Sequence, residues 1–270
     1  MAFVTLEDRV PNDLFHPGEL DAFRRLSTLH ADGWGYAIAP DETTAIDLYK
    51  STQRAIDDEA FLTLTTSKSA RAGLIHLRWA SAGMEIEESN THPFVNGEWA
   101  FAHNGSIPES ERLLSLLDVK HQTLRSGTTD SELYFLLVLQ EIDNASDASE
   151  GVRRAVARIR KVAPVASLNA LLLGPDVLIV VHSHDGMDNP IGPLIAACGG
   201  EESFPPLHAE RYFDLQWRRD SNSVVVAHAG LPGPGWEELP QNSTLVVNRH
   251  TLASNIGHLN DSKAVVASSS

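Results

Sequence analysis

Three short clusters carry side chains suited to gripping a zwitterion and polarising a carbonyl: His76-Leu77-Arg78-Trp79, Ala102-His103-Asn104-Gly105 and Thr129-Asp130-Ser131-Glu132. A guanidinium matches a carboxylate as a planar two-pronged fork. Arg78 stands in the run Leu74-Ile75-His76-Leu77-Arg78-Trp79, which otherwise reads as an interior strand, where a charge demands a carboxylate or several acceptors. A structural ion pair is the plainer reading of the same residue. A strand ending in Asn104-Gly105 can hold a side-chain amide beside a backbone N–H, the donor pair of an oxyanion hole. The same dipeptide is also the strongest short hairpin signal. Asp130 opens a helical pattern, so it either stabilises the helix start or, with Thr129 capping in its place, accepts from a bound ammonium.

Other candidates are weaker. In His30-Ala31-Asp32-Gly33-Trp34-Gly35, two glycines flank a tryptophan before a strand, which implies a tight turn packed closely against something. Thr91-His92-Pro93-Phe94 reads as an organised loop with a hydrogen-bonded structural histidine. The chain has twelve histidines, and His182-Ser183-His184-Asp185 can place two imidazoles on one face of a strand. No further ligand stands at a suitable spacing, so no metal site is expected and surface or loop histidines explain the pair. Cys198 is the single cysteine; without a basic neighbour to lower its pKa it is not expected to react.

These groups need a frame. Short β-type runs dominate, at 3–6, 35–39, 45–49, 73–79, 99–103, 167–173, 177–182, 212–217, 224–228 and 244–248. Helical patterns fall at 19–28, 110–117, 131–142 and 150–162. The third carries Leu133, Leu136, Leu137 and Gln140 at helical spacing and starts with Thr129 and Glu132 in capping-box register. Consecutive strands with helices grouped between 110 and 162 suit an α+β layered fold better than alternating βαβ units. No repeat and no long linker divides the chain, so one domain over 1–260 is expected, with a surface insertion at 184–207 and a flexible tail over 261–270.

With 270 residues, 42% of them hydrophobic, the chain can bury a sizeable core. A net charge of -15 argues against a surface that tracks nucleic-acid phosphates. One cysteine permits neither an intrachain disulfide nor a thiolate zinc cluster, which fits a reducing cytoplasm. Acidic residues in Met1-Ala2-Phe3-Val4-Thr5-Leu6-Glu7-Asp8 stand where a secretory signal would be basic, and no apolar run approaches the roughly 20 residues of a membrane span. No Gly-rich phosphate loop of the usual spacing is present, and no cofactor is expected.

In order, Asp32-Gly33-Trp34-Gly35, His76-x-Arg78-Trp79-Ala80-Ser81, Asn90-Thr91-His92-Pro93-Phe94, Trp99-x-Phe101-Ala102-His103-Asn104-Gly105 and Thr129-Asp130-Ser131-Glu132 resemble the class II glutamine amidotransferases. The likeness is good over 20–140 and looser through Leu168-Asn169-Ala170-Leu171-Leu172, Val224-Val225-Val226-Ala227 and Gly235-Trp236-x-x-Leu239-Pro240. It is strongest to stand-alone bacterial members, which include the γ-glutamyl amidohydrolase of ergothioneine synthesis. The resemblance implies the N-terminal-nucleophile hydrolase fold, a four-layer αββα sandwich of two antiparallel sheets between helical layers. It implies that Arg78, with Trp79 and His92 beside it, binds the carboxylate end of glutamine or a γ-glutamyl compound. Asp130 would take the ammonium, and Asn104 with Gly105 the oxyanion. The reaction would pass through a γ-glutamyl thioester, the released ammonia either being lost or serving a separate synthetase.

One departure bears on chemistry. Family members carry the nucleophilic cysteine directly after the initiator methionine, and here Ala2 holds that place. The expectation is that about five residues are missing from the start, through a misassigned initiation codon or a truncated chain; the alternative is a pocket that binds γ-glutamyl or amino-acid ligands without cleaving them, and a metal-dependent hydrolase ranks below both. Thr5 as a processed nucleophile is disfavoured because it lies three residues further along a strand whose side chains alternate faces.

Overall fold

The computed structural model describes residues 1–39, 45–81, 83–184, 187–197, 210–228 and 230–260. The first part of the chain forms β1 (Ala2–Arg9), α1 (Glu19–Arg25), β2 (Trp34–Ala39), β3 (Asp47–Ser51), α2 (Glu59–Ser67), β4 (Ala70–Leu77), β5 (Phe94–Asn96) and β6 (Trp99–Asn104). Then come α3 (Glu111–Leu114), α4 (Val119–Gln122), α5 (Asp130–Asp143) and α6 (Ala148–Val162). The remainder comprises β7 (Asn169–Leu173), β8 (Val177–His182), α7 (Ile191–Ala197), β9 (Leu215–Arg219), β10 (Ser223–His228), β11 (Glu237–Glu238), β12 (Ser243–Asn248) and β13 (Ser254–His258).

Two sheets result, in the orders β11-β9-β10-β1-β4-β2-β3 and β13-β12-β8-β7-β6-β5, and every pairing is antiparallel. Alternation along each strand sorts side chains into three apolar layers. Along β1, Ala2 and Val4 enter the layer between the sheets, where they meet Ala72, Leu74, Leu171 and Val180. Met1 and Phe3 point the other way and pack with Phe23 of α1 and Phe61 of α2. On the outer face of the second sheet, Phe101, Leu172 and Ile179 pack under Leu133 and Leu137 of α5 and Val156 of α6. The layer order is helices, sheet, sheet, helices, as the resemblance implies.

Most elements fall where the hydrophobic pattern places them, and the departures have local causes. The helix expected at 110–117 is only α3, because Asp118 accepts from the His121 N–H at 2.8 Å and starts α4 as a separate turn. The sequence pattern does not reveal α2, since Thr63, Thr65 and Thr66 are β-branched and favour strands. Its hydroxyls bond back along the helix, Thr65 to Phe61 O at 2.8 Å and Thr66 to Leu62 O at 2.7 Å, while Asp58 caps it through the Ala60 N–H at 3.0 Å. The edge strands β5, β11 and β13 are too short or too polar to leave a period-two signature. The segment expected as an insertion contains α7; its Cys198 lies outside the described residues, as does the expected tail at 261–270.

The segment that leads into the site is anchored by one charged group. Glu19 at the start of α1 is 1% exposed. It receives a fork from Arg218 of β9, at 2.9 and 2.7 Å, together with the Trp236 indole N–H at 3.1 Å and the His16 N–H at 2.9 Å. Glu19→Ala would leave that guanidinium facing an apolar gap, a change that costs about 3–5 kcal/mol in comparable buried pairs. Urea unfolding should register a loss of that size; a loss no larger than about 1 kcal/mol, as for an exposed pair, would contradict the anchoring role.

Candidate active site

The three main clusters singled out in the sequence converge on one cavity of about 510 Å³, within the range of small-molecule pockets, whereas His182 and His184 border a different cleft. Arg78, Trp79, His92, Asn104, Gly105 and Asp130 all line it. They arrive from the ends of β4 and β6, the start of α5 and the loop ahead of β5.

Arg78 lies one residue beyond β4 rather than inside a strand. The Asp32-Gly33 turn holds its backbone from both sides: Arg78 N–H donates to Gly33 O at 2.8 Å, and its carbonyl accepts from Asp32 N–H at 3.0 Å. The Asp32 carboxylate also takes the Ala80 N–H at 2.7 Å. This accounts for the first motif, whose Gly35 is a close-approach position, since a Cβ there would stand 2.2 Å from His92 O. Arg78 as a whole is 4% exposed. Its Nη2 donates to Glu85 O at 3.1 Å, while Nη1 is buried with no hydrogen-bond partner among the described residues. Burial lowers its pKa, and the charges of Asp32 and Glu87 work in the opposite direction. An unpaired arm of a buried guanidinium facing a cavity is a seat for an anion. Trp79 stands edge-on to His30 and to Tyr212, at 6.4 and 6.2 Å between ring centres.

Asn104 ends β6, and the next strand begins only at Asn169, so Asn104-Gly105 makes no hairpin. The Asn104 amide reaches Tyr212 O at 3.4 Å, a long contact that leaves the amide available to the cavity. Gly105 runs tight against the neighbouring chain, where a Cβ would stand 2.4 Å from Ser167 O.

Helix α5 is capped by Thr129, whose hydroxyl accepts from Glu132 N–H at 3.1 Å. Glu132 does not return to Thr129 in a capping box; it reaches further back, to the N–H groups of Ser126 and Gly127 at 2.7 and 2.8 Å. Asp130 is thereby spared the capping role. Its oxygens accept from Ile107 N–H at 2.7 Å and Ser131 N–H at 2.8 Å, which orients a carboxylate that still has lone pairs for a further donor.

Behind these groups lie three imidazoles. His103 Nε2 is 2.8 Å from Ser167 O, so this nitrogen carries the proton and Nδ1 accepts from the Ser131 hydroxyl at 2.8 Å. His76 and His92 have ring centres 4.4 Å apart, and neither nitrogen of His92 has a partner among the described residues. His103 and Ser131 were passed over as site residues because each sits inside a motif that another residue explains. Tyr212 and Phe213 complete the wall with no motif to mark them.

A second, small cavity of about 70 Å³ shares His76, His103 and Asn104 with the first and is also lined by Met1. The Met1 amine donates to Ile75 O at 2.9 Å, and burial lowers its pKa to about 5.

Residues 15–188 match the family model for class II glutamine amidotransferases. The chain belongs to that family of enzymes. It is 29% identical over 168 residues to gamma-glutamyl-hercynylcysteine sulfoxide hydrolase of Mycolicibacterium smegmatis, covering 59% of this chain and 68% of the relative. It is 24% identical over 261 residues to a probable glutamine amidotransferase of Saccharomyces cerevisiae, covering 84% of this chain and 72% of the relative. A solved glutamine aminotransferase class-II domain protein from Silicibacter pomeroyi superposes with a TM-score of 0.63 at 18% identity, over 95% of this chain and 97% of that one. The architecture is the N-terminal-nucleophile hydrolase sandwich.

The buried imidazoles make stability depend on pH. Loss of solvation pushes His76 down to about 3 and His92 well below its ordinary value, and it lowers His103 despite the opposing pull of the Asp130 carboxylate. In the unfolded chain each titrates near 6.5. Below that pH the unfolded state therefore binds more protons, and stability falls on acidification from about 6.5 towards about 3. Each fully shifted histidine contributes a slope of roughly 1.4 kcal/mol per pH unit. Urea titrations at several pH values in this window should show that fall, with His76→Gln reducing the slope by about one proton. A flat profile would show that the imidazoles are solvated.

Proposed function

We propose that the cavity binds the γ-glutamyl group of glutamine or of a γ-glutamyl compound and serves hydrolysis of its γ-amide. The unpaired, buried Nη1 of Arg78 carries this reading, because it lines the same pocket as a fixed carboxylate and an amide donor. Arg78, flanked by Trp79 and His92, receives the α-carboxylate; Asp130 receives the α-ammonium; the Asn104 amide and the Gly105 N–H receive the oxyanion. In the reaction a thiolate adds to the γ-carbonyl carbon and the C–N bond breaks as the nitrogen takes a proton and leaves. Water then cleaves the thioester to glutamate. The relative named for hydrolysis of a γ-glutamyl sulfoxide favours simple hydrolysis as the outcome; delivery of ammonia to a separate synthetase is the other route. The domain spans 1–260 and acts in the cytoplasm on this reading, consistent with the absence among the described residues of any helix long and apolar enough to cross a membrane.

No thiol lines the described pocket, and the position for one follows from strand register. Ala2 pairs with Leu74 across β1 and β4. Each step towards the chain start moves one residue up β4, so the third residue added ahead of Met1 would lie level with Arg78. That is the point at which a nucleophile would meet a ligand held by this guanidinium. The alternative reading is a pocket that binds γ-glutamyl ligands without cleaving them.

The test uses the chain as it stands and a variant extended by Met-Cys-Arg-Val, its initiator removed. The extended protein should release glutamate from glutamine or a γ-glutamyl anilide, and Arg78→Ala should lower kcat/KM about thirtyfold or more, the effect of truncating a buried charge partner. The unextended chain should bind the ligands in calorimetry without turnover. Binding without turnover by the extended chain would support the binding module, and unchanged kcat/KM in Arg78→Ala would remove the carboxylate assignment.

A further inference from the structure

Away from the pocket, the end of β8 and the turn before β9 bring together three side chains with no part in the reading above. His182 and His184 are two apart on an extended segment and share a face, with ring centres 5.3 Å apart. Asp214 joins them from far along the chain, its Oδ1 standing 3.7 Å from His184 Nε2. One donor atom from each of the three lies within 4.8 Å of the others.

The hydrogen bonding of His182 points outward to a ligand. His182 is 4% exposed, and its Nδ1 is 2.9 Å from Leu239 O. A carbonyl only accepts, so Nδ1 carries the proton and Nε2 is left with a bare lone pair. That nitrogen is buried and has no hydrogen-bond partner among the described residues. An imidazole whose far nitrogen is pinned to a carbonyl while the near one stands unpaired is the arrangement by which proteins orient a metal-binding histidine. Asp214 divides its two oxygens: Oδ2 accepts from Arg211 Nε at 3.0 Å, and Oδ1 faces His184. The groups border a cleft of about 380 Å³, which leaves space for water as a further ligand.

We propose that His182, His184 and Asp214 form a binding site for a divalent first-row transition ion, with zinc as its representative. Two neutral imidazoles and one carboxylate, with no thiolate, suit zinc or iron(II) better than magnesium or calcium, which prefer oxygen donors. Bonds of about 2.0–2.1 Å to zinc require the donor atoms to close by roughly an ångström. His182 is fixed, and the half-buried His184 and Asp214 can make that movement. The ion would then clip the end of β8 to the start of β9. His184 stacks on Phe213 at 5.4 Å, and Phe213 lines the large cavity, so the clip would also hold one wall of that pocket.

Calorimetric titration of zinc into the metal-free, tag-free chain should find one equivalent and a raised thermal midpoint, with magnesium unable to displace it. His184→Ala and Asp214→Asn, both at half-buried positions, should keep the metal-free midpoint. They should weaken zinc by more than the roughly 10–100-fold that loss of an outer-shell partner costs. His250→Ala, which removes an exposed histidine paired with Asp176, should bind zinc as the parent does. Absence of stoichiometric zinc binding would overturn the site, as would binding that survives both substitutions undiminished.

Discussion

The close approach of the two sheets is the constraint on which the pocket depends. The layer between them is built partly from small side chains, Ala2, Ala37, Ala72 and Ala100, set among Leu74, Leu171, Val180 and Val226. β4 of one sheet packs across β6 and β7 of the other. Because β4 ends at Leu77 and β6 ends at Asn104, this stacking opens both strand ends on the same side of the sandwich. Arg78 and the Asn104-Gly105 pair then face one cavity although they belong to different sheets. A larger side chain at Ala100 or Ala72 would pry those ends apart, because densely packed interiors accommodate added volume by shifting backbone.

The polar groups of the site are held by backbone more than by one another. Arg78 is fixed through the Asp32-Gly33 turn, Asp130 through the N–H groups of Ile107 and Ser131, and His103 through Ser167 O and the Ser131 hydroxyl. These partners leave a guanidinium arm, carboxylate lone pairs and an amide turned to the cavity, while the three imidazoles behind them stay neutral. Neutrality matters because a protonated imidazole next to Arg78 would add positive charge to a region that already buries one cation. On the proposed reading, the site is preorganised for a ligand carrying both charges at one end, and its remaining uncharged donors suit the other end.

Much of this was legible in the sequence, for identifiable reasons. Continuous apolar runs such as 177–182 and 224–228 give β8 and β10 directly, since both faces of each sheet are covered. Arg78 stood out as a charge within an apolar run, and Asn104 and Asp130 as polar residues at the edges of such runs. The Thr129 cap was legible; the true reach of Glu132 to the Ser126-Gly127 loop was not, because it depends on how the chain enters the helix. Helix α2 was hidden by threonines whose hydroxyls find partners only once the helix exists. Asp214 escaped notice for a different reason: a ligand supplied from another strand has no spacing signal, so the His182-Ser183-His184 pair looked incomplete. Tyr212 and Phe213 were likewise invisible as pocket residues until the fold placed their turn over the strand ends.

On the proposed reading, recognition and bond cleavage draw on separate parts of this scaffold. The groups proposed to grip the ligand come from the ends of β4 and β6 and the start of α5, and none of them leans on the residue at the head of β1. Met1 contributes to the apolar layer under α1 and donates its amine to Ile75 O. The register between β1 and β4 nevertheless directs any extension of the strand along His76 and Leu77 towards Arg78. A nucleophile at that point would inherit a ligand already oriented by the guanidinium and carboxylate, which is where positioning contributes most to rate.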